Sequence, residues 1–166
     1  NGNYVVYSDN FGETWQILGT DANFTSCAPN GNEPKVEELP NGDIMLSSRK
    51  GSGRYFNVFH FNDFANDKTS GTWGSQTNSS DITAADCNGE IIILDAYKTY
   101  DGKKTKVLLQ SVPCNNGSRR DVGIYFKEID EATQQTAASI ATNWTKGMTV
   151  STVESAYSTM IQQQDG

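Results

Sequence analysis

Short apolar runs separated by turn-forming residues recur along the chain, and this pattern predicts β-strands. The runs fall into two similar sets, at 35–39, 44–48 and 55–61, and again at 90–96, 105–112 and 122–128. A fourth strand of the first set is expected near Trp73. The run 91–94 is continuously apolar, which is typical of an innermost strand that is buried on both faces. We therefore expect two four-stranded antiparallel sheets.

The pattern is weaker in two other stretches. Residues 131–141 are rich in Ala, Gln, Thr and Ser, and we expect a long loop there, with a helical turn as the alternative. A third copy of the strand pattern begins near Tyr157, which would stand at the head of its innermost strand. The chain also opens on a short predicted strand at 4–7.

Turn signals divide the chain at nearly regular intervals. The hairpin dipeptides end at Gly42, Gly102 and Gly166, which lie 60 and 64 residues apart. Glu33 and Tyr157 each stand nine positions before one of these glycines, so they would occupy equivalent places in successive units. The spacing is long for a propeller blade but suits a four-stranded blade with generous loops.

The three tryptophans recur along the chain at a similar but less regular spacing. Trp15 and Trp73 follow the similar strings Gly-Glu-Thr and Gly-Thr, and Trp144 stands in a degenerate third copy. We expect these residues in turns between the third and fourth strands of each unit, on the face opposite to Glu33.

The composition of the chain limits the classes of partner and cofactor that it can have. The 166 residues are 36% hydrophobic and 20% charged, with a net charge of −7, which disfavours nucleic acid and anionic membranes as partners. No apolar stretch is long enough to span a membrane. Three scattered cysteines, Cys27, Cys87 and Cys114, and a single histidine, His60, cannot supply a zinc site, so no metal or other cofactor is expected.

The expected strands cannot close on themselves, because roughly three sheets of this kind leave edges exposed. We therefore expect the chain to be a piece of a larger closed β assembly. Asn-x-Ser/Thr sequons are compatible with an exported protein, and they lie at Asn23, Asn78, Asn116 and Asn143.

Strand pairing predicts where the polar candidates meet. Pairing around the Gly42 turn places Glu33 beside Arg49 at the open end of that hairpin. Arg119 lies in a loop of the second set that opens on the same side, and Tyr157 is expected to face the same way. We predict that these four side chains converge.

Several segments carry a resemblance to a known family. The segment 8–15, Ser-Asp-Asn-Phe-Gly-Glu-Thr-Trp, resembles the Asp box of sialidases and other propellers, with Asn10 in the usual Asp position. In such a turn short polar side chains satisfy the backbone while Trp15 packs between strands. Because non-enzymatic propellers carry this motif as well, it indicates fold rather than chemistry.

Three further segments look like parts of the sialidase active site. Glu33 precedes Arg49 by 16 residues, as a glutamate precedes a substrate-binding arginine in that family. Ser-Val-Pro at 111–113, followed by Arg119 and Arg120, resembles the segment with another of the three family arginines, and Arg119 is the better match. The string Ala-Tyr-Ser around Tyr157 resembles the segment of the nucleophilic tyrosine.

The resemblance implies that residues 1–166 are the C-terminal half of a sialidase catalytic domain, about three blades of a six-bladed β-propeller of four-stranded antiparallel sheets. It implies a secreted, periplasmic or cell-surface exo-α-sialidase that hydrolyses terminal sialic acid by a retaining double displacement. Tyr157 would be the nucleophile, Glu33 its base, and Arg49 and Arg119 the ligands of the substrate carboxylate. The partners would be a sialylated glycan and the N-terminal half of the propeller. The first arginine and the acid/base aspartate of the family have no match here, so this chain alone should be inactive.

Two alternatives stay open. A non-catalytic Asp-box propeller acting as a glycan-binding module would keep the turn motif without needing the polar cluster. A trans-sialidase would use the same residues and differ only in the acceptor, so product analysis with an acceptor sugar separates it from a hydrolase.

Overall fold

The computed structural model describes residues 2–19 and 24–163, and these form an all-β structure with one short helix in the described ranges. The sequon at Asn23 and the turn predicted at Gly166 lie outside them. The strands are β1 (Val6–Tyr7), β2 (Gln16–Ile17), β3 (Asn32–Glu38), β4 (Ile44–Lys50), β5 (Gly53–Asp63), β6 (Asp67–Trp73), β7 (Thr77–Asn78), β8 (Ile91–Tyr97), β9 (Lys104–Pro113), β10 (Arg120–Ile129) and β11 (Thr145–Glu154), and the helix is α1 (Ala137–Ala141).

The first sheet is an antiparallel meander in the order β3-β4-β5-β6, with β7 also pairing with β5. The three strands predicted from its apolar runs, and the fourth near Trp73, are confirmed. Its first turn closes through a hydrogen bond from the Leu39 N–H to the Asp43 carbonyl oxygen at 2.8 Å. Gly42 has a φ of 89° and packs against the ring of Phe64, so glycine is required there by both conformation and space.

The second sheet is an antiparallel meander in the order β8-β9-β10-β11. Its first three strands match the predicted runs, and β8 and β9 meet at the turn that contains Gly102. A fourth strand was expected in this sheet, but the residues of β11 were not predicted. Its apolar residues Met148, Val150 and Val153 are exposed, and their spacings of two and then three positions do not keep the alternation of a half-buried strand.

A two-stranded ribbon of β1 and β2 packs beside the first sheet, where Val5 and Trp73 cover a small buried cluster with Leu46. The predicted places of the tryptophans are only partly right. Trp15 and Trp144 directly precede β2 and β11, whereas Trp73 ends β6 and lies in no turn. Trp15 was expected to pack between strands, but it is 63% exposed.

The two large sheets share one hydrophobic core, which includes Met45 and Phe56 of the first sheet and Leu108 and Val112 of the second. Their first strands, β3 and β8, lie next to each other, and Glu37 accepts a hydrogen bond from the Ile93 N–H at 3.3 Å. None of the sheets closes on itself within the described residues.

The expectation that 91–94 would be buried on both faces is wrong. Ile91 is buried, but residues 92–94 are only half-buried, because β8 is the edge strand of its sheet and the shared core covers one of its faces.

The expectation of a loop over 131–141 is also partly wrong, because α1 ends this stretch. Thr136 and Ser139 form a reciprocal capping box at its start. The buried ammonium of Lys127 donates hydrogen bonds to the carbonyl oxygens of Ser139 and Thr142 at its end. Both ends of this one-turn helix are therefore satisfied by side chains.

Candidate functional site

Glu33 and Arg49 form the first half of the site, at the open end of the β3–β4 hairpin as predicted. The pairing of β3 with β4 is irregular between Asn32 and Lys35, and Glu33 has a φ of 46°. This irregularity turns the Glu33 side chain toward Arg49, whose Nη1 lies 2.8 Å from Glu33 Oε2. The pair is partly buried, with side-chain exposures of 16% for Arg49 and 33% for Glu33.

Asp86 joins the site from a loop between the two sheets, and no sequence pattern predicted it. Its Oδ1 accepts a hydrogen bond from Arg49 Nε at 2.5 Å. The hydrogen bonds that Arg49 donates to Asp86 and Glu33 raise the pKa of Arg49, and the one to Asp86 lowers the pKa of that carboxyl group. Arg49 therefore stays charged and is held by two carboxylates.

Arg119 approaches from the loop before β10. Its Nη2 donates to the backbone carbonyl oxygen of Asp86 at 3.2 Å, so Asp86 contacts both predicted substrate-binding arginines. Arg120 instead donates from Nη2 to the Thr152 carbonyl oxygen on β11, at 3.3 Å. The structure thus brings Arg119, and not Arg120, into contact with Asp86, the residue that pairs with Arg49.

Tyr157 completes the cluster from the segment after β11. The guanidinium carbon of Arg119 lies 5.4 Å from the centre of the Tyr157 ring, and the Tyr157 N–H donates to Cys87 Sγ at 3.3 Å. The expectation that Tyr157 heads a strand is wrong, because residues 155–163 form no strand and Tyr157 sits at a bend with a φ of 59°. Among the described residues, no hydrogen bond joins the Tyr157 hydroxyl to Glu33.

A buried arginine, Arg54, lies close to the site. Arg54 on β5 is fully buried, and its Nε donates to Ser47 Oγ at 3.1 Å. Its two terminal nitrogens have no hydrogen-bond partner among the described residues. Burial lowers the pKa of Arg54 to about 10, while the nearby groups Cys87, Glu33 and Glu90 oppose that change.

Sequence reasoning missed Arg54, Asp86 and Cys87. An arginine that opens the apolar run 55–61 could have pointed to Arg54, but nothing in the loop sequence distinguishes Asp86. From the sequence, Cys87 was considered only as a possible metal ligand, whereas its sulfur accepts a hydrogen bond from the Tyr157 N–H. The cysteines Cys27, Cys87 and Cys114 are all buried and free, and burial raises the pKa of Cys27 to about 11.

The guanidinium groups of Arg49 and Arg119 both contact Asp86, and the Tyr157 ring lies against Arg119. Paired guanidinium groups are suited to binding an anion. No group of three or more His, Cys, Asp or Glu side chains that could hold a metal ion occurs in the described ranges. No helix within those ranges is long and apolar enough to cross a membrane.

Comparison of the sequence with protein-family models found no match, and a search of curated proteins returned no significant match.

Proposed function

We propose that this chain is part of the catalytic β-propeller of an exo-α-sialidase, which releases terminal sialic acid from glycans. The observation that carries the proposal is the continuous set of contacts from Glu33 through Arg49, Asp86 and Arg119 to Tyr157. These residues come from separate segments of the chain, and three of those segments resemble sialidase motifs.

The architecture supports a propeller. Two four-stranded antiparallel meanders lie side by side with their first strands adjacent, as neighbouring blades do around a central axis. The ribbon of β1 and β2 would belong to a preceding blade, with the Asn10 turn between its outer strands. Residues 1–166 would then form about half of a six-bladed ring.

The chemistry follows from the charge of the substrate. Sialic acid carries a carboxylate on its anomeric carbon, so a neutral phenol approaches that carbon with less repulsion than a carboxylate nucleophile would. Sialidases with a tyrosine nucleophile are known exceptions to the two-carboxylate rule of glycosidases. Arg49 and Arg119 would bind the substrate carboxylate through paired N–H donors.

In the proposed first step Glu33 accepts the phenolic proton of Tyr157, whose oxygen bonds to the anomeric carbon. The bond to the aglycone oxygen breaks, and that oxygen takes a proton from an acid supplied by the other half of the propeller. Water then attacks the anomeric carbon and gives a proton to the conjugate base of that acid, while the tyrosyl bond breaks and Glu33 returns its proton to the phenolate oxygen, with overall retention. The first step requires an oxygen of the Glu33 carboxylate to come within hydrogen-bond distance of the Tyr157 hydroxyl.

The test is the activity of the full-length protein on a fluorogenic α-sialoside. We expect Tyr157→Phe and Glu33→Gln each to lower kcat by at least about 100-fold. Tyr97→Phe is the matched control, because Tyr97 is 70% exposed and lies on β8. An undiminished kcat in Tyr157→Phe would contradict the proposed mechanism.

One observation favours a second function, that of a non-catalytic glycan-binding module. Arg49 is already paired with two protein carboxylates, and the Tyr157 hydroxyl lacks a contact with Glu33 among the described residues. A full-length protein that binds sialylated glycans on an array, but leaves the fluorogenic sialoside intact, would support this second function over the first.

A further inference from the structure

Asp86 contacts both arginines of the candidate site, but through different atoms. Its side-chain Oδ1 accepts from Arg49 Nε at 2.5 Å, and its backbone carbonyl oxygen accepts from Arg119 Nη2 at 3.2 Å. The backbone contact belongs to the loop and would survive a change of side chain. The carboxylate contact is a property of Asp86 alone.

We propose that the Asp86 carboxylate occupies the position on Arg49 that the carboxylate of a ligand takes, so that ligand binding displaces it. Asp86 would then set the affinity of the site for carboxylate ligands. For sialic acid as the ligand, this inference rests on the proposed function.

The charges explain why a displaceable group is needed. Arg49 and Arg119 carry two positive charges, and Glu33 and Asp86 carry two negative ones in direct contact or close by. While all four charged side chains are in place, their charges nearly cancel and the site attracts an anion only weakly. Once Asp86 leaves, its negative charge no longer opposes the ligand and the Nε–H of Arg49 becomes free to donate.

The geometry selects Asp86 rather than Glu33 as the group that leaves. The Asp86 side chain is 57% exposed, whereas the Glu33 side chain is 33% exposed and stands on an irregular, left-handed position of β3. An exposed carboxylate regains most of its hydration when it turns away, so its ion pair is weak. Glu33 would keep its contact with Nη1 while a ligand takes the Nε side.

The test compares the full-length protein with its Asp86→Asn variant, which keeps the size of the side chain and the backbone contact with Arg119. Glu154→Gln is the control for removal of one negative charge, because Glu154 lines a depression beside Arg119 and forms no ion pair among the described residues. Two probes are titrated: sodium acetate, followed through the 15Nε–H NMR signal of Arg49, and N-acetylneuraminate, followed by calorimetry.

We expect acetate to saturate the Arg49 signal at about fivefold lower concentration in Asp86→Asn than in the wild type. N-acetylneuraminate should bind about fivefold more tightly to the same variant, and Glu154→Gln should change neither value by more than about twofold. Equal or weaker acetate binding in Asp86→Asn would overturn the inference.

The titrations with acetate and with N-acetylneuraminate distinguish a failure of this inference from a failure of the proposed function. An acetate effect at Arg49 without any binding of N-acetylneuraminate would support displacement of Asp86 and contradict a sialic acid site. Binding of N-acetylneuraminate that is unaffected by Asp86→Asn would support the site and contradict the displacement.

Discussion

Glu33 and Tyr157, the two predicted catalytic residues, adopt left-handed backbone conformations, with φ values of 46° and 59°. Residues other than glycine adopt this region rarely, and holding one there costs about 1–3 kcal/mol. Such positions concentrate at functional sites, where the surrounding structure fixes a side chain in a demanding place. Phe11, Phe24, Asp121 and Asn143 share this conformation, so the backbone is consistent with a functional role for Glu33 and Tyr157 but does not distinguish them from those four residues.

Asp43 makes the clearest case for a pH effect on stability. Burial opposes its ionisation, but hydrogen bonds to His60, Asn41 and the Phe61 N–H outweigh burial and lower the pKa of Asp43. Because the folded pKa lies below the ordinary value of about 4, the ionised group stabilises the fold above about pH 4. That contribution is lost as the pH falls through the folded pKa.

We expect Asp43→Asn to lower the free energy of unfolding by about 2 kcal/mol at about pH 6. The difference from the wild type should shrink as the pH falls below about 4. Urea denaturation at several pH values measures it, with Asp9→Asn as the control, since Asp9 lies on an exposed turn. A difference that stays constant with pH would show that the Asp43 carboxylate is not the stabilising group.

At the scale of elements, the turn between β1 and β2 is held together by its own side chains. Asn10 Oδ1 accepts the Thr14 N–H at 2.9 Å, and its Nδ2 donates to Thr14 Oγ1 at 2.8 Å. Ser8 Oγ accepts the N–H of Gly12, which has a φ of 88°. Side chains of the turn thus hydrogen-bond its backbone N–H groups, and no contact with a hydrophobic core is needed.

We expect Asn10→Ala to lower the free energy of unfolding by about 1–2 kcal/mol, because it removes these hydrogen bonds. Asn10→Asp should be close to neutral, since it keeps the acceptor and the Thr14 hydroxyl can donate to it. Thermal denaturation of the full-length protein checks both variants, and sialoside turnover should not change in either. Equal loss in the two variants would contradict the role given to the Asn10 oxygen.

The sequence predicted those strands that are determined by the residues within and next to them. Seven strands of the two sheets were expected, because alternating apolar residues and a turn glycine such as Gly42 or Gly102 fix them. The contact of Glu33 with Arg49 followed from the register of one hairpin. Strand β11 was missed because its apolar residues at 148, 150 and 153 break the two-residue alternation. Asp86 was missed because a loop has no register that could place it beside Arg49.

At the scale of the whole molecule, the two sheets are coupled through an aromatic contact. Trp144, just before β11, stacks on Phe56 of β5 with ring centres 5.6 Å apart, and its Nε1 donates to the Ile140 carbonyl oxygen at 2.7 Å. It is only 7% exposed. Trp15 precedes the last strand of its own sheet in the same way, yet it is 63% exposed.

A comparison of these two tryptophans therefore distinguishes the stability that comes from packing from any that comes from the position just before a strand. We expect Trp144→Ala to lower the free energy of unfolding by about 3–5 kcal/mol, because it leaves a cavity between the sheets. Trp15→Ala should cost less than about 1 kcal/mol, since its ring is mostly hydrated already. Urea denaturation curves measure both values, and similar losses in the two variants would mean that the turn motif, rather than the contact between the sheets, determines what a tryptophan contributes.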